Sequence, residues 1–274
     1  MTFYDILLYF FIYGFFGWCC EVGYAAVKSG KFVNRGFLNG PICPIYGVGV
    51  TMVVFFLTPW RDNLILLYLT SVVLVTVLEG VTGYAMDKIF HNKWWDYSGQ
   101  PLNIGGYVCL LFSLVWGVAC VVIVDFVHPL FSKVLSYLPF AVGVILIVVL
   151  VALLVVDLYV TSASIVKMNK HLESMEKIAK ELHEISDQIG EEIFTRVTAT
   201  MEKQEDISEE MQGHIAELKE KYQELSSRGS RVSRRLVRAF PKMKPREHSE
   251  QFEKWRERLQ KLQDMKANMK KERE

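Results

Sequence analysis

The sequence predicts an all-α integral membrane protein: a five-span helical bundle with structured cytoplasmic loops, followed by a cytoplasmic coiled-coil or helical-hairpin region. Apolar runs of about 20 residues fill the first 160 positions, and each is long enough to cross a hydrocarbon core as a helix. These positions hold only 7 basic residues (Lys and Arg) and 8 acidic residues (Asp and Glu). The last 114 positions hold 24 basic and 22 acidic residues. In that second part, apolar residues recur at spacings of three and four, which is typical of paired helices.

This uneven distribution excludes two broad classes of protein. A single soluble globular domain is excluded because the first 160 residues carry too little charge to cover a surface that faces water. Wholesale disorder is excluded by the richness in aliphatic and aromatic residues. The formal net charge of +1 is therefore an average that describes neither part of the chain.

The predicted membrane domain covers residues 1–160. Its five spans are expected at residues 3–27, 42–59, 63–87, 106–127 and 139–160. The first span is not a cleaved signal peptide, because nothing basic precedes it and Asp5 is acidic. Three further segments follow it: coiled-coil helices at 161–226, a basic amphipathic segment at 227–246 and an amphipathic C-terminal helix at 247–274.

The basic residues between spans predict the orientation, because cytoplasmic loops retain Lys and Arg. One side of the membrane would carry Lys28, Lys31, Arg35, Lys88, Lys93, Lys167 and Lys170. The other side would carry only Arg61 and Lys133. The N-terminus is thus expected outside and the C-terminal 114 residues in the cytoplasm.

Two of the predicted cytoplasmic loops mix aromatic and apolar residues with backbone breaks. Such a loop is expected to fold back into the mouth of the bundle, since irregular backbone at membrane depth must be buried or line a wet cavity. The break positions are Gly36, Gly40, Pro41, Pro44, Gly47 and Pro101. Their similar placement after Glu21 and Glu79 suggests a parallel tandem repeat of two helices and a loop, with a chance match as the alternative.

Glu21 and Glu79 are the most informative single residues, because a carboxylate inside a span costs ~2.5 to 3.5 kcal/mol on insertion scales. Each should face the interior, and Arg35 is the expected partner. Either the carboxylates form packing pairs, or they form a polar site for a cation, a proton or a positive group of a ligand. The site candidates are Glu21, Asn34, Arg35, Asn39, Glu79, Asp96, Tyr97 and Asn103. Asp125 and Asp157, near span ends, are expected to reach water.

No motif predicts catalysis, a cofactor or a metal site. The five cysteines form no CxxC pair and are interpreted as small buried hydrophobes. The chain contains no phosphate-binding GxxxxGK[ST] loop, so any ATP-driven work would need a separate ATPase subunit. A lipid-modifying enzyme that uses Glu79, His91 or Asp96 in an unrecognised arrangement remains an alternative.

The soluble part carries an apolar seam over 168–197 that resumes over 207–225, and this seam predicts a homo-oligomer or a partner helix. In the last helix Phe252, Trp255 and Leu259 share one stripe. The basic segment at 227–246 lies between the seam and the last helix. Its eight bases are Arg228, Arg231, Arg234, Arg235, Arg238, Lys242, Lys244 and Arg246. We expect it to lie on anionic lipid headgroups. A solvated linker is the main alternative, and no motif supports nucleic-acid binding.

The first 160 residues resemble a known family. The residues that carry the resemblance are Gly17-Trp18 with Glu21, the run 34–38 with Gly40-Pro41, the run 44–47, Glu79, and the run 95–98 with Asn103. They are similar to the putative ABC-transporter type IV family, the CmpB-like permeases of Gram-positive bacteria. The motifs are dense over residues 14–117. The resemblance implies a permease of the bacterial cytoplasmic membrane and does not specify its substrate.

The leading hypothesis is a permease-like or transport-associated membrane protein with a polar site at its cytoplasmic mouth. Its partners would be membrane lipids and a separate ATPase subunit. A membrane-anchored scaffold or sensor that recruits partners through its coiled coil is the alternative from a different class.

Overall fold

The computed structural model describes residues 1–199 and 209–271, and these residues are mainly helical. The α-helices are α1 (Phe3–Ser29), α2 (Pro44–Leu57), α3 (Leu64–Phe90), α4 (Leu110–Val122), α5 (His128–Leu135), α6 (Phe140–Ala199), α7 (Glu209–Ser227), α8 (Arg231–Ala239) and α9 (Ser249–Lys271). Four two-residue strands pair antiparallel, β1 (Asn92–Lys93) with β4 (Lys244–Pro245) and β2 (Asn103–Ile104) with β3 (Val108–Cys109).

The chain divides into two compact units. The membrane unit consists of Met1–Ser164 together with Arg235–Arg246, and the soluble unit consists of Ile165–Arg234 together with Glu247–Glu274. The first boundary lies close to the expected domain limit at 160. The basic segment predicted at 227–246 is divided between the two units, because its second half packs with the membrane unit.

Among residues 1–199 and 209–271, four helices are long and apolar enough to cross a membrane: Phe3–Ser29, Leu64–Phe90, Leu110–Leu135 and the start of Phe140–Ile189. The chain is therefore a membrane protein. The expected second span corresponds to α2 and a three-residue 3-10 turn that ends at Trp60. Together they extend only ~25 Å at 1.5 Å per residue, which is shorter than a typical hydrocarbon core.

Local signals in the sequence set the ends of the first and third helices. Thr2 and Asp5 form a capping box at the start of α1, and Gly30 ends that helix with a φ of 64°. At the start of α3, the side chain of Asn63 accepts a hydrogen bond from the Leu66 amide at 3.1 Å. These caps satisfy helix-end groups that would otherwise lack partners.

The fourth apolar helix differs from its predicted limits of 106–127. It begins at Leu110, because the preceding residues form β3, and it continues through a π-helical turn (Ile123–Val127) to Leu135. Pro129 cannot donate to the carbonyl of Asp125. Arg61 donates to that carbonyl instead, at 3.0 Å, and pairs with the Asp125 carboxylate at 3.1 Å. Asp125 thus has a protein partner, whereas the sequence predicted only a contact with water.

Helix α1 packs against α2, and α3 packs against α4. The interior between α2, α3 and α4 is apolar, and its buried members are Val53, Leu57, Leu67, Cys120 and Val124. This packing positions the loop that follows α1 and the loop that follows α3, which carry most of the candidate site residues.

In the soluble unit, the seam residues Met168, Leu172 and Met175 of α6 are buried, as are Phe252 and Trp255 of α9. Between α6 and α7, the His171 ring contacts the carbonyl oxygen of Leu225 at 2.7 Å. The first part of the predicted seam is therefore covered by the chain's own helices. Residue 207, where the seam was expected to resume, lies outside the described residues, as does the end of the last predicted helix at 272–274.

Candidate functional site

Glu21 has two partners in the membrane unit. The Arg35 Nε atom lies 3.2 Å from one carboxylate oxygen, and the Tyr46 hydroxyl donates to the other at 2.7 Å. Arg35 also lies over the ring of Tyr24, 5.3 Å from its centroid. The partner that the sequence indicated for Glu21 is thus the one observed, and Tyr46 is a second one that it did not indicate.

Gly17 allows this arrangement because it brings α2 close to α1. A Cβ atom at position 17 would lie 2.4 Å from the Cβ and Cγ atoms of Tyr46, well inside van der Waals contact. Only glycine can occupy this position while Tyr46 keeps its place beside Glu21. Gly17 lies one turn before Glu21 on the same helix, so the close approach and the hydrogen bond depend on each other.

Glu79 repeats part of this arrangement on α3. The hydroxyl of Tyr97, in the loop after α3, donates to Glu79 Oε1 at 3.1 Å. The other carboxylate oxygen is buried and has no hydrogen-bond partner among the residues that the structure describes. Burial and the neighbouring Glu79 carboxylate raise the pKa of Tyr97, so its hydroxyl stays protonated and remains a donor.

Both glutamate–tyrosine pairs contact the same face of α4. Tyr46 packs against Trp116 with ring centroids 5.7 Å apart, and Tyr97 stacks on Phe112 at 4.9 Å. Phe112 and Trp116 are four residues apart and therefore neighbours on one helix face. The two carboxylates thus belong to one aromatic-lined group, which we call the Glu–Tyr site (Glu21, Arg35, Tyr46, Glu79 and Tyr97).

Asn34 and Asn39 shape the first loop rather than project from it. Asn34 accepts hydrogen bonds from the Trp18 indole at 2.8 Å and from the Gly36 amide at 3.0 Å, and it donates to the Asn39 carbonyl at 2.9 Å. The Asn39 side chain donates to Asp157 at 2.8 Å. These amides are used within the loop, so their role in the structure is to fix the backbone around Arg35.

Asp157 holds this loop against α6. Its carboxylate accepts the Asn39 amide at 3.1 Å, the Gly40 amide at 2.7 Å and the Thr161 hydroxyl at 3.2 Å. The expectation that Asp157 simply reaches water is therefore wrong. Its position near a span end suggested solvent, but the preceding loop folds back far enough to supply its donors.

Asp96 and Asn103 have the same kind of role in the second loop. Asp96 accepts from the Ser98 amide at 3.0 Å and from Lys93 Nζ at 3.1 Å, and these donors hold the pKa of Asp96 well below its usual range. Asn103 donates to the Gln100 carbonyl at 2.7 Å. Both side chains close the loop that presents Tyr97.

The predicted backbone breaks lie where the chain turns or approaches another element. Pro44 begins α2, and Pro101 lies in the turn of the second loop. A Cβ on Gly47 would meet the carbonyl oxygen of Phe10 at 2.5 Å. Gly36, Gly40 and Pro41 lie in the irregular loop before α2.

The C-terminal bases supply contacts that the sequence did not predict. Arg235 donates to the carbonyls of Gly36 at 2.6 Å and Phe37 at 2.8 Å, and to the Asn39 side chain at 3.1 Å. Arg246 binds both oxygens of the buried Asp87, at 2.6 and 2.7 Å. These two guanidiniums therefore have protein acceptors, which the sequence did not indicate.

The remaining bases differ in their surroundings. Lys244 lies 3.4 Å from Asp96, whereas Arg231, Arg234 and Lys242 are exposed. Asp87 gave no signal in the sequence, since it lies at the end of an apolar span where a single acid commonly faces water. Among residues 1–199 and 209–271, no three or more His, Cys, Asp or Glu side chains are grouped so that they could hold a metal ion.

A family model described as Putative ABC-transporter type IV matches residues 8–162. The chain belongs to this family. The type IV match contains all eight predicted site residues and ends before the soluble unit and before Arg235–Arg246. No curated protein and no solved structure gives a significant match to the chain.

Proposed function

We propose that this chain is the membrane-spanning permease component of an ABC-type transporter in the bacterial cytoplasmic membrane, and that the Glu–Tyr site contacts the solute. The convergence of two glutamate–tyrosine pairs on one face of α4 carries the proposal. Carboxylates inside spans are costly and are kept where they bind a partner, an ion or a substrate. If the site only fixed packing, both oxygens of Glu79 should have protein partners, but one of them has none among the described residues.

The charge of the site indicates what it accepts. Arg35 neutralises Glu21, whereas the hydrogen-bond partner that the described part of the chain gives Glu79 is the neutral Tyr97 hydroxyl. The free oxygen of Glu79 is available to a proton, a cation or the positive group of a solute. The aromatic rings of Tyr46 and Tyr97 would favour an organic group beside that charge.

The proposed topology has five spans, with the N-terminus outside and the C-terminus in the cytoplasm. Helix α2 would be the short second span, and both loops of the Glu–Tyr site would lie on the cytoplasmic side. The excess of Lys and Arg on that side supports this orientation. With it, the two helix–loop–helix segments enter the membrane in the same direction, as a parallel tandem repeat requires.

Energy would come from a separate ATPase subunit, because the chain carries no phosphate-binding loop of its own. The type IV family membership supports such a partner. The exposed bases Arg231, Arg234 and Lys242 are available to anionic headgroups, where each would add ~1 kcal/mol of attraction.

A second candidate function is a scaffold or sensor. It is favoured by the soluble unit, which is compact, lies entirely outside the family match and buries its own core around Met175 and Trp255. A permease that needed only a membrane domain would not require such a unit.

The test compares cells that express the wild-type chain, Glu21→Gln, Glu79→Gln or Asp62→Asn with cells that lack the protein. Asp62 is an exposed acid outside the Glu–Tyr site and provides the matched control. Depletion of solutes from a defined mixture is measured by mass spectrometry, and the amount of protein in the membrane is measured in parallel.

We expect at least one solute to be depleted by wild-type and Asp62→Asn cells and about tenfold more slowly by both glutamate variants at equal protein levels. If no solute distinguishes wild-type cells from cells without the protein, the transport proposal fails and the scaffold remains.

A further inference from the structure

We propose that Arg235–Arg246 is a clasp that joins the two loops of the membrane unit and closes the Glu–Tyr site. This inference concerns the regulation of that site, and to that extent it rests on the proposed function. The clasp lies outside the family match, so nothing in that match assigns it a role.

The first anchor of the clasp is Arg235 on the loop after α1. Its three acceptors are Gly36, Phe37 and Asn39, which lie one, two and four residues after Arg35 in the chain. Carbonyl oxygens bound by a guanidinium form strong, directional hydrogen bonds. Arg235 therefore fixes the backbone that carries the cationic member of the Glu–Tyr site.

The second anchor lies on the last turn of α3 and on the loop that follows it. Strand β4 pairs with β1, and Lys244 lies 3.4 Å from Asp96, the residue before Tyr97. Arg246 holds Asp87, and the side chain of Asp87 is only 3 % exposed. The clasp thus fixes the segment that presents the tyrosine donor of Glu79.

Apolar side chains join the two anchors. Phe240 packs on Trp94 with ring centroids 5.0 Å apart, and Trp94 packs on Phe37 at 5.2 Å. Leu236 and Met243 are fully buried. One 12-residue segment therefore contacts both loops, each within one or two residues of a member of the Glu–Tyr site.

Two features make the clasp suited to open and close. Its second anchor consists of a two-residue strand and of bases whose side chains are 66 % exposed for Lys244 and 45 % for Arg246, so water competes for these bonds. The chain also enters the clasp from Arg234 and leaves it into Glu247, both in the soluble unit. That unit is therefore covalently continuous with both ends of the clasp.

Cys43 provides a native reporter of closure. It lies four residues after Asn39, is 5 % exposed, and its amide donates to the Gly14 carbonyl at 2.9 Å. In a full-length chain in which Cys19, Cys20, Cys109 and Cys120 are replaced by Ala, Cys43 is the single thiol. Its rate of reaction with a maleimide then measures access to the loop end.

The release variants are Arg235→Met and Arg246→Gln, and Arg231→Gln is the matched control because it removes one exposed charge from the same helix as Arg235. We expect both release variants to raise the labelling rate about tenfold and the control to keep the wild-type rate. The Arg246 side chain is 45 % exposed, and the Tyr107 hydroxyl also donates to Asp87, so the Arg246 variant remains informative if Arg235→Met fails to fold.

A reversible lock tests closure in the opposite direction. Lys93 and Lys244 are direct partners in the β1–β4 pair, and the Cα separation of ~4.5 to 5.5 Å in such pairs suits a disulfide. In Lys93→Cys/Lys244→Cys, we expect oxidation to slow the labelling of Cys43, and reduction followed by removal of the reductant to restore it. The Cys43 peptide is quantified separately by mass spectrometry, because reduction also frees the thiols introduced at positions 93 and 244. Labelling of Cys43 at the wild-type rate in both release variants, or equal labelling of Cys43 in the oxidised and reduced lock, would overturn the clasp.

The labelling needs no solute, so the two proposals fail separately. A clasp that responds as expected in a chain that moves no solute supports the clasp and refutes the transport proposal. Normal solute depletion with an unresponsive clasp supports the transport proposal and refutes the clasp.

Discussion

The carboxylate of Glu21 depends on side chains that reach it from two other segments, and Gly17 is the residue that permits one of these contacts. Close approach of α2 at Gly17 lets Tyr46 donate to Glu21, while the loop supplies Arg35. At the scale of single residues, the site therefore requires a glycine at position 17 as well as the polar side chains of Tyr46 and Arg35.

We expect Gly17→Ala to lower the free energy of unfolding by ~1 to 3 kcal/mol, because the added methyl group would overlap Tyr46. Gly23→Ala is the matched control on the same helix, since a Cβ there meets nothing within 4 Å. It should be neutral or stabilising by up to ~1 kcal/mol. Thermal unfolding in detergent measures both variants, and equal effects would show that the close approach is unimportant.

From residue types alone, the sequence predicted which polar residues lie near one another. It predicted less well which atoms each of these residues binds. The Glu21–Arg35 pair was predicted because a carboxylate in a span needs a partner. Asn39 and Asp96 were expected in a binding site, but their hydrogen bonds lie within their loops and on Asp157 and Lys93. A pattern shows that donors and acceptors are present, whereas the direction of each side chain depends on the folded backbone.

At the scale of elements, apolar length predicted the helices well and their ends less well. The fourth apolar helix continues past 127 because Arg61 satisfies the carbonyl that Pro129 leaves unbonded. The run from Phe140 to Ala199 forms one helix, and it contains no proline that would interrupt the helix. For a short apolar helix such as α2, length alone does not show whether the helix crosses the membrane.

The five-span topology predicts the sides on which single cysteines react. In a chain free of native cysteines, Lys31→Cys and Lys88→Cys should react with a membrane-impermeant maleimide only in inside-out vesicles. Arg61→Cys and Lys133→Cys should react only in intact cells or right-side-out vesicles.

Arg61 decides the role of α2, because it follows that helix directly. If Arg61→Cys reacted from the same side as Lys31→Cys, α2 would not cross the membrane. Four spans would then remain, and the N-terminus and C-terminus would lie on the same side.

At the scale of the whole molecule, the return of Arg235–Arg246 to the membrane unit was the feature least accessible from the sequence. Its bases and its amphipathic pattern were evident, and they indicated a lipid surface. Arg246 meets Asp87 across 159 positions of sequence, and local periodicity carries no information on such a contact. Charge alone cannot distinguish an anionic membrane from a buried carboxylate.

The central claim is that the Glu–Tyr site acts on a solute, and the pair Glu79 and Tyr97 offers the most direct measurement. Uptake of the solute identified by depletion is compared for wild type, Glu79→Gln, Tyr97→Phe and the double variant at equal membrane levels. Because the hydroxyl acts through the carboxylate, the double variant should lose no more uptake than Glu79→Gln alone. Wild-type uptake by Glu79→Gln, or losses that multiply in the double variant, would contradict the account.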